Sequence, residues 1–210
     1  MHPIHKHAKK VWKFFWHEDS IASWIANIVV AFLVIYFIVY PVLGAVLGTS
    51  FPIVAVISES MDHSNANEQL CGLRLDEFKD SFDNYWDVCG SWYETRGISK
   101  DQFKGFPFPK GFSKGDVIIL WRPTNIKVGD ILIFQGSKPQ PIIHRVVKID
   151  DGFYQTKGDH NSNSITGPDG ETRISQDRIY GKGIIRLPYL GWVKILFVDA
   201  VRPLGINIVR

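Results

Sequence analysis

From Ser20 to Ser58 the chain carries no Asp, Glu, Lys or Arg, and that stretch constrains the possible folds more than any other feature. Its apolar heart, IASWIANIVVAFLVIYFIVYPVLGAVL over residues 21–47, has Asn27 as almost its only polar break. A membrane-spanning helix needs about 20 apolar residues, and this run exceeds that with room for tilt. A buried core helix of such length would normally carry a polar stripe. A cleaved signal peptide has an apolar region of only about 7–15 residues followed by a small-x-small site, and no clean site follows here. The reading is an uncleaved transmembrane anchor over 21–48. Lys6, Lys9, Lys10 and Lys13 precede it against Glu18 and Asp19, and Phe14, Phe15, Trp16 and Trp24 sit at its edge. Basic flanks stay in the cytosol and aromatic rings favour the headgroup zone. Residues 1–20 are therefore assigned to the cytosol, and 49–210 to an extracytoplasmic domain.

The whole chain has 24 Lys and Arg against 21 Asp and Glu. Much of that small excess lies in the first twenty residues, so the rest is nearly balanced and no nucleic-acid partner is implied. Residues 62–112 differ in texture, being polar and aromatic-rich, and contain both cysteines, Cys71 and Cys89. Outside the cytosol a disulfide between them is permitted. Two buried free thiols and a metal site are the alternatives, though no CxxC or HxxxH spacing supports a metal. The aromatics Trp86, Trp92, Tyr93, Phe106 and Phe108 fit either a lipid-facing surface or a cover for a sheet.

The remainder reads as strands. A short apolar strand covers 53–57. KGDVIILW and VGDILIFQ share one grammar, Gly-Asp and then a β-branched apolar run, which is a strand-entry signal. PIIHRVVKIDDGFYQTKGDHN reads as a hairpin turning at Asp150-Asp151-Gly152, and RIYGKGIIRL as a further strand. LGWVKILFVDAVRPL is a terminal helix or strand with Trp192, Ile195, Leu196 and Val198 on its apolar face. The fold class is mainly β: an antiparallel sandwich or open barrel with one N-terminal transmembrane helix.

Chemistry-bearing residues follow in the order Ser, His, Asp. Ser60 lies in VISESMDH just past the anchor, His144 interrupts an apolar strand, and Asp159 and Asp169 lie in the turn-rich KGDHNSNSITGPDGE. A serine needs a base to take its proton, and a carboxylate on the far imidazole nitrogen fixes the tautomer of that base. Singly, such residues are more often turn, cap or packed residues. The other histidines are weaker candidates. His2, His5, His7 and His17 lie in the basic flank, His63 precedes the insertion off any strand, and His160 shapes a turn.

The anchor, SESM, two GD-strand units, PIIHRVV, TKGDHN and the closing YGKGIIRLPYLGWVKI, in that order, resemble a type I signal peptidase. The match covers the anchor, roughly 52–61 and roughly 111–199. Histidine rather than lysine before Arg145 makes the chain similar to the archaeal and endoplasmic-reticulum branch. The resemblance implies Ser60 as nucleophile, His144 as general base, Asp159 as one functional aspartate, and Ser58 with the Ser60 amide at the oxyanion hole. The second aspartate usually follows five or six residues later, where Ser164 and Ile165 stand here. Asp169 is taken as its replacement, with Asp177 a poorer one. The 62–112 insertion is a second departure.

The implied function is a membrane-bound serine endopeptidase that removes signal peptides through an acyl-enzyme, with no metal or organic cofactor. Its partners would be preproteins, membrane lipid and the secretion translocon. The expected location is the cell membrane, with the endoplasmic reticulum as the lesser choice. The alternative is an anchored β-domain that binds exported proteins without cutting them.

Overall fold

A computed structural model describes residues 3–65 and 68–201; Met1 and His2, residues 66 and 67 of the insertion, and residues 202–210 lie outside it. The chain divides into two compact units, Met1–Val46 and Leu47–Arg210.

The first unit is helical. α1 (Pro3–His17) is followed by α2 (Ile21–Val34), one wide π-helical stretch (Ile35–Val39) and α3 (Tyr40–Leu47). The last three run on as one helix, Ile21–Leu47, of mean hydropathy 2.6 and long and apolar enough to cross a membrane. The wide turn lies just before Pro41, whose ring removes a backbone donor and crowds the preceding turn. Ser20 caps α2 by accepting the Ser23 amide. The few polar side chains of the helix are used at its start: Ser23 Oγ donates to the Phe14 carbonyl (2.6 Å) and Asn27 Nδ2 to that of Phe15 (3.1 Å). Asn27 therefore holds the α1–α2 turn and does not interrupt the apolar surface.

The second unit is built on a curled, half-barrel antiparallel sheet. Its strands are β1 (Ile53–Ala55), β4 (Val117–Trp121), β5 (Ile131–Phe134), β6 (Ile142–Asp150), β7 (Phe153–Lys157) and β8 (Ile179–Leu187), in the order β1-β4-β8-β5-β6-β7. The two GD units form the same turn twice. Gly115 and Gly129 take positive φ (93° and 97°), as the third position of a type II turn requires. The following Asp116 and Asp130 carboxylates each accept the amide three residues back, from Ser113 and Lys127, at 2.9 Å. Asp151 and Gly152, both at positive φ, close the β6–β7 hairpin, as a two-residue turn demands.

β5 is wholly apolar because both of its faces are covered. Ile131 and Ile133 pack with Val56, Met61, Phe112, Ile118 and Leu120, while Leu132 and Phe134 pack with Val146, Ile174 and Ile179. The strand expected over 53–57 ends at Ala55, although the Val56 amide still reaches the Asp116 carbonyl (2.8 Å). The terminal segment is a helix, α6 (Trp192–Val201). Only Ile195 and Val198 of its expected apolar face are buried; Leu196, one helical step round, is exposed.

The insertion has structure and a core of its own. A short ribbon, β2 (Gln69–Leu70) with β3 (Leu73–Arg74), precedes α4 (Phe82–Glu94) and α5 (Lys100–Lys104). Cys71 and Cys89 are disulfide-bonded, with Cα atoms 5.6 Å apart. Tyr85, Trp86, Cys89 and Tyr93 line one face of α4 at helical spacing and pack on Leu70, Ile98, Phe103 and Val147 of β6. Of the two uses expected for the insert's aromatics, Trp86 and Tyr93 serve as sheet cover, being 5% and 0% exposed.

Candidate active site

Ser60 sits in a tight turn, Glu59 to Asp62, closed by the Asp62 amide on the Glu59 carbonyl (2.9 Å). The next residue, Met61, anchors that turn: it is 1% exposed, packs with Val56 and Phe112, and its carbonyl accepts the Phe112 amide (3.0 Å). The Ser60 and Ser58 hydroxyls are 3.2 Å apart.

His144 comes from β6, paired with Leu132 of β5. It meets the Ser60 turn at Gly158. A Cβ built on Gly158 would lie 2.6 Å from His144 Nε2 and 2.7 Å from the Ser60 carbonyl oxygen. Any side chain there would wedge into both, which gives the glycine of the GD pair a physical reason.

The carboxylate on the other imidazole nitrogen is Glu171, whose Oε2 is bonded to His144 Nδ1. This corrects the expectation that Asp159 or Asp169 fills that place. Glu171 is fully buried and each oxygen is held: Oε1 accepts the Ile165 amide (2.7 Å), and Oε2 accepts the Thr156 hydroxyl (2.9 Å). Its own amide returns to the Ile165 carbonyl (2.8 Å). Ile165 is one of the two residues, with Ser164, that stand where the resemblance calls for aspartate. There it supplies backbone bonds to a longer carboxylate arriving from farther along the loop. Asp169 lies on the exposed tip of the Gly167–Gly170 turn and offers its backbone carbonyl to Arg178 (2.8 Å); Asp177 is exposed as well. No residue pattern in the sequence marks Glu171; the turn closed by the Gly170 amide on the Gly167 carbonyl (3.0 Å) is what brings the next side chain back inward.

Asp159 belongs to a different cluster. Its Oδ2 accepts Arg145 Nη2 (2.7 Å) and bonds His63 Nε2 (2.9 Å), while Oδ1 accepts Arg145 Nε (2.9 Å) and the Tyr93 hydroxyl (3.1 Å). Arg145 is fully buried, with its remaining donors on the carbonyls of Pro107, Phe108 and Gly129. Burial alone would raise the Asp159 pKa; the guanidinium and the His63 hydrogen bond outweigh it and hold the carboxyl well below the usual range. Burial pushes His63 down against the opposing pull of Asp159. Beside them Lys157, also fully buried, is pushed down to about 8 by burial, and its Nζ rests on the Gly158 and Asp159 carbonyls.

An imidazole with a buried carboxylate on one nitrogen, and a serine turn approaching its other nitrogen across Gly158, are the residue types that a serine peptidase employs. No family model matches the chain. It is 31% identical over 163 residues to the signal peptidase complex catalytic subunit sec11 of Schizosaccharomyces pombe, covering 70% of this chain and 68% of that one. It is also 34% identical over 98 residues to the subunit of the same name in Sclerotinia sclerotiorum, and 27% identical over 93 residues to that of Plasmodium falciparum. These matches cover 42% and 40% of this chain, which spans 57% and 50% of those two relatives. At the identity and coverage of the fission-yeast match, the chain belongs to the family of signal peptidase complex catalytic subunits.

Proposed function

We propose that the chain is a membrane-anchored serine endopeptidase that cleaves signal peptides, with Ser60 as nucleophile, His144 as general base and Glu171 as the residue that orients the base. The observation that carries this reading is the convergence at Gly158 of the His144 Nε2 edge and the Ser60 turn, residues far apart in sequence. The carboxylate on Nδ1 keeps the proton there, so Nε2 is free to take the Ser60 proton as the hydroxyl attacks a substrate carbonyl. The oxyanion would be met by the Ser60 amide and the Ser58 hydroxyl. His144 returns its proton to the leaving amine, and water then resolves the acyl-enzyme with His144 again as base. An extended substrate would lie along the β1 edge.

Membership of the signal-peptidase family supports the substrate class. The apolar helix Ile21–Leu47 supports single-pass anchoring, and the lysines that precede it support an extracytoplasmic sheet unit. The three relatives are all eukaryotic, which weighs for the endoplasmic reticulum over the cell membrane. The alternative of a non-catalytic binding domain drew its force from the missing second aspartate, and Glu171 at Nδ1 removes that motive.

The test is cleavage of a preprotein by the full chain in detergent or liposomes. Wild type should release the mature product and Ser60→Ala should release none; equal cleavage by both would end the reading.

A further inference from the structure

The segment from Gly158 to Glu171 supplies three contacts to the candidate site. Gly158 lies against His144 Nε2, the His160 amide donates to the Ser60 carbonyl (2.9 Å), and Glu171 bonds His144 Nδ1. The opposite side of its first half is held by the insertion. From α4, the Tyr93 hydroxyl donates to Asp159 Oδ1 (3.1 Å), the Tyr85 hydroxyl to the Asp159 carbonyl (3.0 Å), and Trp92 Nε1 to Asn163 Oδ1 (3.1 Å). From the ribbon, the Cys71 amide donates to the His160 carbonyl (2.9 Å). The peptide groups of residues 159 and 160 are thus gripped by the insertion on one side and grip Ser60 on the other. Cys71 and Cys89 join the ribbon to α4, so one covalent bond ties together both parts of the grip. An insertion serving only as sheet cover would bring rings to the sheet. This one brings two buried tyrosine hydroxyls, 3.3 Å apart, onto a single aspartate residue. Burial raises both phenols well above their usual range, so they remain hydrogen-bond donors at any working pH.

We propose that the insertion is a clamp that sets the position of Ser60 and His144 through the 158–171 loop, with Tyr93 and Tyr85 as positioning residues and the Cys71–Cys89 bond as its fastening. The proposal rests on the catalytic reading above.

The experiment compares full-length wild type with Tyr93→Phe, Tyr85→Phe and the double Cys71→Ser/Cys89→Ser variant in detergent. Peptide cleavage gives kcat and KM, and mass-spectrometric hydrogen exchange follows the amides of 158–165. Losing one tyrosine hydroxyl should lower kcat about tenfold, the scale of one net hydrogen bond. KM and exchange in β5 should stay unchanged, while the His160 amide exchanges faster. Arg74→Ala, at an exposed site on the same ribbon, should match wild type in both readouts. Wild-type kcat together with wild-type His160 exchange in the tyrosine variants overturns the clamp. Should Tyr93→Phe not fold, Tyr85→Phe and the cysteine pair decide by the same two readouts. Should wild type cleave nothing, the catalytic reading has failed separately, and the clamp then stands or falls on the His160 exchange.

Discussion

Two buried histidine–carboxylate pairs, His144–Glu171 and His63–Asp159, adjoin the 158–160 segment, and their surroundings differ. His144 and Glu171 are buried with only neutral groups, Thr156 Oγ1 and the Ile165 amide, completing the carboxylate. His63 and Asp159 are also buried, but that carboxylate is already engaged by the Arg145 guanidinium. The His63 ring is stacked flat on Tyr85 at 3.6 Å, with its Nδ1 buried and without a hydrogen-bond partner among the described residues. A carboxylate neutralised by arginine stabilises an imidazolium poorly. In the proposed mechanism the first pair moves a proton, whereas the Arg145-bound second pair holds a fold together.

Replacing each carboxylate by its amide should separate the two roles. Glu171→Gln keeps the shape and the Ile165 bond, but turns an amide donor toward His144 Nδ1. That forces the proton onto Nε2, the wrong tautomer for a base. In the chymotrypsin-type triad the equivalent change costs about 10⁴ in kcat, so a loss of about 10³–10⁴ is expected here, with the melting temperature close to wild type. Asp159→Asn should do the reverse in kind. It leaves Arg145 buried without its counter-charge, which costs about 3–5 kcal/mol in such sites, read as a fall in the urea midpoint. Asp159 also gives the wild type an acid limit. Its folded pKa lies below the unfolded value of about 3.9, so the unfolded chain binds more protons there, and stability falls as pH drops below about 4. Asp159→Asn should lack that component.

The smallest expected effect is a gain. Lys157 has its pKa lowered from 10.5 to about 8 by burial, so its charge opposes folding at neutral pH. The unfolded chain binds more protons between those two values, and stability from this group rises with pH across that window. Lys157→Met should stabilise the domain at pH 7 by up to roughly 3 kcal/mol, a gain that disappears above about pH 10.5. The carbonyls it leaves keep other donors: Asn161 N on Gly158, and Tyr85 on Asp159.

The sheet was legible in the chain because its signals are local. The repeated Gly-Asp turns, the Asp-Gly hairpin and the uncharged run each dictate structure over a few residues, and β4, β5, the β6–β7 hairpin and the long apolar helix appear where those signals stand. The insertion was less legible. Tyr85, Trp86, Cys89 and Tyr93 have helical spacing after the Ser81 cap, but Asp87, Gly90 and Ser91 between them hide the stripe from a reading that looks for apolar runs. The carboxylate partner of His144 was missed for a different reason. Nothing local marks Glu171; only the course of a loop through Gly167–Gly170 decides that its side chain returns inward while that of Asp169 faces solvent.

The most direct test of the account is a double-mutant cycle on cleavage, using His144→Ala, Glu171→Gln and both together. If the carboxylate works only through the imidazole, the double variant should be no slower than His144→Ala alone. Losses that multiply would show that Glu171 acts independently of His144, and the proposed catalytic unit would be wrong.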